Sequence, residues 1–337
     1  MASQREIAER AGTSLKTVSR VINRDPLVNT ATRERIEAII AEIGYEPNQA
    51  ARMMRSKQSN VVGFLADRVA TTSSSIDLIR GAQDAAWEHG KQMMLFNIEL
   101  GTASHQFADS QLTAFRAEAV IYAARYHQAI SLPPSSVPRV LLNCFDPAGR
   151  DNAVIPDDYS LARHLADAVF ARGYRRPVFL NLPQRAVAAG LRASGIADAA
   201  RMRGIDMARS IHTAVEERDG QERFIVERLL GRLMAEPAEA RPDVILCGQD
   251  ILAMDVYFNL AELGLKVGRD VAVASFDNLE PIASLLKPGL STMELPYYEM
   301  GRAAMIEAIH EAGGQPRTLR LQGRFVDRAS LPSRSLP

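Results

Sequence analysis

The chain is poor in cysteine, in long apolar runs and in charge of one sign. Two cysteines among 337 residues, Cys144 and Cys247, sit at expected strand ends, so they read as reduced and buried rather than bridged. No apolar run approaches the length of a membrane span and no export signal precedes Ser3, which leads to the expectation of a cytoplasmic protein with no membrane partner. The 40 basic and 40 acidic residues cancel. There is no GxSxG elbow, no glycine-rich phosphate loop, no HExxH and no CxxC, and the six histidines are scattered. Without a reactive constellation, a metal-ligand set or a cofactor fingerprint, the expectation is a non-enzyme that carries no cofactor.

The length exceeds what one hydrophobic core usually serves, so at least two domains are expected. The balanced charge is unevenly spread, because residues 1–60 hold 10 Lys/Arg against 7 Asp/Glu. In that basic segment Ser3-Gln4-Arg5-Glu6 has the form of a capping box and starts a helix. Gly12 suits its end, and Ser14 suits the cap of the next helix. Ala8, Ala11, Val18 and Ile22 face inward, leaving Leu15, Lys16, Thr17 and Arg20 outward on the second helix. A third stripe, Ile36, Ile39, Ile40 and Ile43, follows a cap at Asn29 and stops at Gly44. This is the layout of a helix-turn-helix, which lays its second helix in a DNA major groove. Arg20 and Lys16 suit guanine acceptors and Leu15 suits a thymine methyl, whereas Ser14, Thr17, Asn23, Asn29 and Tyr45 suit phosphates.

The segments IAERAGTSLKTVSRVIN (7–23), TRERIEAIIAEIGYEPN (32–48) and AARMMRSKQSNVVGF (50–64) resemble the headpiece and hinge of the lac repressor / gal repressor family of bacterial transcriptional regulators. The resemblance implies a headpiece over 1–46 and a hinge helix and linker over 47–59. It also implies a two-lobed core over 60–329, similar to periplasmic sugar-binding proteins, and a tail over 330–337. It places Asn48 as the hinge cap, Ala51 and Met54 against DNA, and Met54 where the family wedges an apolar side chain into the minor groove. A hinge helix this short is marginal alone.

Beyond Lys57 short apolar runs alternate with helical patterns, the mark of parallel sheets with crossover helices. Strands are expected at 61–66, 93–97, 119–124, 139–143, 177–180, 244–247 and 271–275. Helices are expected at 76–89, 161–172, 191–203, 223–233 and 251–263. The resemblance sets chain crossings near 156–160, 288–292 and 317–321, giving one lobe of about 60–157 plus 291–318 and another of about 158–290 plus 319–329.

Ligands of open α/β sheets bind beyond the carboxyl ends of the strands. Asp67, Asn97, Asn143, Gln249-Asp250 and Asp277-Asn278 fall there. The family's effector motifs match Arg192, three residues before Gly195, and Asp277; Gln249 replaces an asparagine, Asn143 stands where an acid is common, and Tyr297 where a ring packs on a sugar face. Asp67, Asn143, Arg192, Gln249, Asp277 and Tyr297 are therefore the candidate effector residues. Asp157 and Asp250 read as caps or hinge residues; His127, with Tyr126 and Arg125, is within reach of the cleft but reads as a solvated loop residue. The resemblance implies a homodimeric repressor of carbohydrate-utilisation genes on a pseudo-palindromic operator, controlled by a small saccharide. A solute-binding protein would not need residues 1–57, and a sugar-acting enzyme would need a carboxylate pair across the bond.

Overall fold

The computed structural model describes residues 3–22, 25–45, 59–69, 75–218, 221–310 and 315–334. Asn23, Asn48, Ala51 and Met54, and the hinge helix with them, lie outside the described residues. The chain divides into two compact units, 1–59 and 60–337.

In the first unit the caps act as the sequence dictates. Ser3 Oγ accepts from the Glu6 amide at 3.2 Å and begins α1 (Gln4–Arg10). Gly12, at φ +60°, makes the turn, and Ser14 Oγ accepts from the Thr17 amide at 3.1 Å to begin α2 (Leu15–Ile22). Asn29 accepts from the Ala31 amide at 2.9 Å and caps α3 (Thr30–Ile43), which left-handed Gly44 ends. Ile7, Val18, Val21 and Ile36 close the small core between the three helices.

The second unit opens with β1 (Val61–Asp67), α4 (Ser75–Glu88), β2 (Gln92–Ile98), α5 (Ala103–Ala114), β3 (Ala119–Ala129), β4 (Arg139–Phe145) and β5 (Asn152–Pro156). It continues through α6 (Asp158–Ala171), β6 (Pro177–Asn181), α7 (Val187–Arg201), β7 (Ile211–Thr213), β8 (Val215–Arg218), β9 (Gln221–Phe224) and α8 (Val226–Leu233). Then follow β10 (Val244–Cys247), α9 (Asp250–Glu262), β11 (Ala272–Asp277), α10 (Ile282–Leu285), β12 (Ser291–Glu294), α11 (Tyr297–His310), β13 (Thr318–Leu321) and β14 (Arg324–Val326).

Two six-stranded sheets result, in the orders β13-β5-β4-β3-β1-β2 and β14-β12-β11-β10-β6-β7. The first is parallel throughout, and the second is parallel except where β14 runs against β12. Their apolar strands are covered on both faces, as parallel sheets require. In the first lobe α4 and α11 lie backbone to backbone: a Cβ on Gly81 would meet the Tyr298 carbonyl at 2.0 Å, and one on Gly301 the Leu78 carbonyl at 2.1 Å. Cys144 and Cys247 are free and buried, and burial raises both thiols.

The topology corrects two of the expected crossings. The chain passes between lobes at 156–158 as expected, but then at 295–296 rather than 288–292, because β12 still pairs with β11. It passes last at 322–323 rather than 317–321, because 318–321 is strand β13, paired with β5. The lobes are therefore 60–157 plus 297–321, and 158–295 plus 324–334. The helix expected from Arg223 begins at Val226 instead, since 221–224 pairs with 215–218 in a hairpin. The Tyr174 hydroxyl donates to the Pro332 carbonyl at 2.8 Å and ties down the C-terminal segment.

Candidate functional site

A cleft of about 570 Å³ of space between atoms, partly open to solvent, lies between the lobes and is lined by Asn143, Arg192, Gln249, Asp277 and Tyr297. Five of the six candidate effector residues thus meet in one cavity. Asp67 does not: it accepts the Tyr122 hydroxyl at 2.6 Å beneath a neighbouring hollow that also holds Glu99 and Arg185. Asn97 is exposed on β2.

Each cleft residue is fixed by an identifiable local cause. Arg192 lies in the first half of α7, which Gly195 lets press against α6; a Cβ there would meet the Tyr159 carbonyl at 2.4 Å. That approach lets Arg192 Nε donate to Asp158 Oδ1 at 2.7 Å and Nη1 to the Gly248 carbonyl at 2.6 Å, while its plane stacks over Phe276 at 4.4 Å. Two of its five N–H groups are so engaged. Burial opposes ionisation of Asp158, but Arg192 and His127 outweigh it and hold the carboxyl below the usual range. Arg192 is held charged in the same way, with Asp158 and then Asp277 overcoming its burial.

Asp277 ends β11 and accepts the Tyr297 hydroxyl, from the start of α11 across the crossing, at 2.9 Å. Burial pushes its carboxyl up to about 7 against the pull of Arg192, with Asp250 adding to the rise. Burial likewise raises Asp250, to about 6. Asp250 accepts from the Leu279 amide at 2.7 Å and from the Thr292 hydroxyl at 2.8 Å, so it braces the cleft floor. Asp157 caps α6 through the Ser160 amide at 3.2 Å.

The backbone is strained where function was expected. Asn143 (φ 58°), Asp277 (φ 116°) and Asn278 (φ 56°) all occupy the left-handed half of dihedral space. Such residues cost about 1–3 kcal/mol each and gather at ligand sites. At Asn143 the cause is visible. Ala123 pairs with Leu142 and the next registered pair is Gln128 with Cys144, so residues 124–127 bulge from β3 opposite Asn143 alone. The Asn143 amide nitrogen donates to the Ala124 and Arg125 carbonyls at 3.0 and 3.2 Å, which clasps the bulge and leaves its oxygen for a ligand.

The bulge brings Arg125, Tyr126 and His127 into the lining of the cleft, which the sequence placed within their reach. His127 is strand-borne and only 4% exposed, not a solvated loop residue. From the second lobe, Glu222 on the β8–β9 hairpin accepts the Tyr126 hydroxyl at 2.7 Å and pairs with Arg125 at 3.2 Å and with Arg185. His127 Nδ1 meets Asp158 Oδ2 at 2.7 Å. A non-local register jump and a hairpin are what assemble this set, and within it Glu222 had no local signal.

In the first unit Leu15, Lys16 and Arg20 are exposed along α2, with Leu15 half-exposed at 51%. Arg20 lies 3.4 Å from Asp25, a weak surface pair that a base edge can replace. Thr17 Oγ1 and Ser14 Oγ share a hydrogen bond at 3.0 Å beside the helix start. The Asn29 oxygen is taken by its cap, leaving its nitrogen, and Tyr45 packs partly against the headpiece core.

A helix-turn-helix unit on the same chain as a two-lobed core with a polar inter-lobe cleft defines the class of ligand-responsive, DNA-binding transcriptional regulators. Residues 4–48 match the model of bacterial regulatory proteins of the lacI family, and residues 166–331 match that of the periplasmic binding protein-like domain. The chain is 34% identical over 322 residues to the sucrose operon repressor of Escherichia coli, covering 93% of this chain and 95% of that one. It is 29% identical over 319 residues to the ribose operon repressor of Escherichia coli (strain K12), covering 92% and 93%. A solved structure of a putative transcriptional regulator of this family from Rhizobium etli superposes with TM-score 0.72 at 29% identity, over 82% of this chain and all of that one. The lac repressor dimer bound to operator superposes with TM-score 0.72 over 98% of this chain, at 22% identity a likeness of fold. The chain belongs to the lacI family of bacterial regulatory proteins.

Proposed function

We propose that this regulator is a cytoplasmic repressor of carbohydrate-utilisation genes that binds a pseudo-palindromic operator as a homodimer and answers to a saccharide in the inter-lobe cleft. The observation that carries the reading is the convergence of Asn143, Arg192, Gln249, Asp277 and Tyr297, contributed by both lobes or their crossing, on one polar cavity. An arginine fork beside carboxylate and amide acceptors matches the alternating donors and acceptors of vicinal hydroxyls. Relatives at up to 34% identity named for sucrose and ribose operons support the class of ligand. The division into 1–46, 47–59, 60–329 and 330–337 stands as our working division, with the lobe limits corrected as above.

The cleft acts by binding, not by turnover. Asp158 and Arg192 satisfy each other and Asp277 is tied to Tyr297, so no carboxylate pair stands free across a glycosidic bond. For the dimer, Phe258 on α9 and Leu285 on α10, 57% and 66% exposed, offer an apolar patch on neighbouring helices of the second lobe. In the headpiece, Leu15, Lys16 and Arg20 read bases while Ser14, Thr17, Asn29 and Tyr45 hold phosphates.

A thermal-shift screen of neutral and phosphorylated sugars tests the ligand class. A ligand at a hundred times its dissociation constant adds about 2.7 kcal/mol to the core. A hit recovered chemically unchanged is expected, and hydrolysis of the hit, or no hit from any sugar, contradicts the reading.

A further inference from the structure

His127 is a buried polar residue with half of its chemistry unused. Its Nδ1 lies 2.7 Å from Asp158 Oδ2, and Asp158 is simultaneously held by Arg192 Nε at 2.7 Å. Arg192 keeps Asp158 ionised, and a carboxylate only accepts, so Nδ1 donates its hydrogen there and Nε2 is the nitrogen left over. That Nε2 is buried and has no hydrogen-bond partner. The ring itself lines the cleft, edge-on to Phe145 with centroids 5.7 Å apart, and comes from the β3 bulge that exists because four residues oppose Asn143. A buried ring nitrogen without a partner is costly, and a ligand hydroxyl, which donates or accepts, removes that cost.

The other groups in the cleft point the same way. Asn143 spends its N–H groups on the Ala124 and Arg125 carbonyls and offers only its oxygen. Asp277 offers a carboxyl. Arg192 is paired with Asp158, and Glu222 is shared between Arg125 and Arg185. Asn143 and Asp277 thus ask the ligand for hydroxyl hydrogens beside the His127 ring.

We propose that His127 is a ligand-binding residue whose Nε2 forms a hydrogen bond with a hydroxyl of the ligand. The proposal rests on the saccharide reading and narrows it. His127 also joins the lobes through Asp158, so a purely structural latch is the alternative to defeat. Two substitutions separate the roles, since an asparagine amide reproduces the Nδ1 position and a glutamine amide the Nε2 position.

The test is calorimetric titration of the full chain with sucrose, sucrose 6-phosphate, D-ribose and D-ribose 5-phosphate, with thermal midpoints recorded for every variant. The wild-type chain is expected to bind at least one of these compounds. His127→Gln is expected to stay within a few-fold of wild type, and His127→Asn to lose about tenfold or more. Equal binding by His127→Asn and wild type, or loss in Gln with retention in Asn, assigns His127 to the latch and overturns its ligand role. Silence of the wild-type chain towards all four compounds overturns the saccharide reading itself, and this proposal with it.

Discussion

Asp277 and Arg192 respond to substitution for different reasons, and the difference is visible in their partners. Arg192 neutralises a fully buried Asp158, so Arg192→Ala strands that charge and is expected to destabilise the core by about 3–5 kcal/mol in denaturant unfolding. Loss of ligand response in that variant is therefore ambiguous, and Arg192→Lys, which keeps the charge but not the planar fork, is the cleaner probe. Asp277 carries no such burden. Its carboxyl is raised from 3.8 to about 7 by burial, with Arg192 on α7, Tyr297 on α11, Asp250 on α9 and Asp158 on α6 facing it. Between those two values the folded chain holds a proton that the unfolded chain has lost, so stability falls as pH rises through this window. Asp277→Asn should raise the thermal midpoint, with a larger gain at pH 8 than at pH 5; an equal gain at both contradicts the raised value. A hydroxyl donated to the ionised carboxylate favours the charged form, so sugar binding should tighten from pH 6 to pH 8 with release of a proton, measured by titration in buffers of different ionisation enthalpy.

Elements decide which residues were legible. Asn143, Asp277 and the caps at Ser3, Ser14 and Asn29 were readable because each terminates an apolar run or begins a periodic one, a local signal that the chain obeys. Arg125, Tyr126 and His127 were legible only as residues within reach of the cleft, and the burial of His127 was not, because it depends on a register jump between β3 and β4 that only pairing creates. Glu222 was missed because the β8–β9 hairpin blends into the helical pattern after it. The crossings were displaced because Pro288 looks like a boundary although β12 beyond it still pairs with β11. Close helix contact makes a prediction of its own. Gly195→Ala places a methyl against the Tyr159 carbonyl, so α7 must shift from α6, and a loss of about 1–3 kcal/mol with weakened sugar binding is expected by thermal melts and titration. In the headpiece, Arg20→Ala should relax base preference across an operator library, whereas Thr17→Ala should weaken all sequences alike. Uniform losses for both contradict the division of labour along α2.

At the scale of the whole molecule the cleft matters because its groups belong to both lobes. His127 and Arg125 reach Asp158 and Glu222 across it, and Tyr297 meets Asp277 at a crossing. A ligand that replaces or reinforces these contacts changes the relative free energy of lobe arrangements, which is the only way it can bias a distant activity. Family membership and the helix-turn-helix make DNA affinity that activity. The most direct measurement is operator affinity of the full chain, at fixed salt, with and without a sugar identified by the thermal screen, repeated with Asp277→Asn. The account predicts that the sugar changes wild-type operator affinity by about 5- to 150-fold, and that Asp277→Asn binds operator normally but loses most of that change. A sugar that binds the cleft while leaving operator affinity untouched contradicts the account.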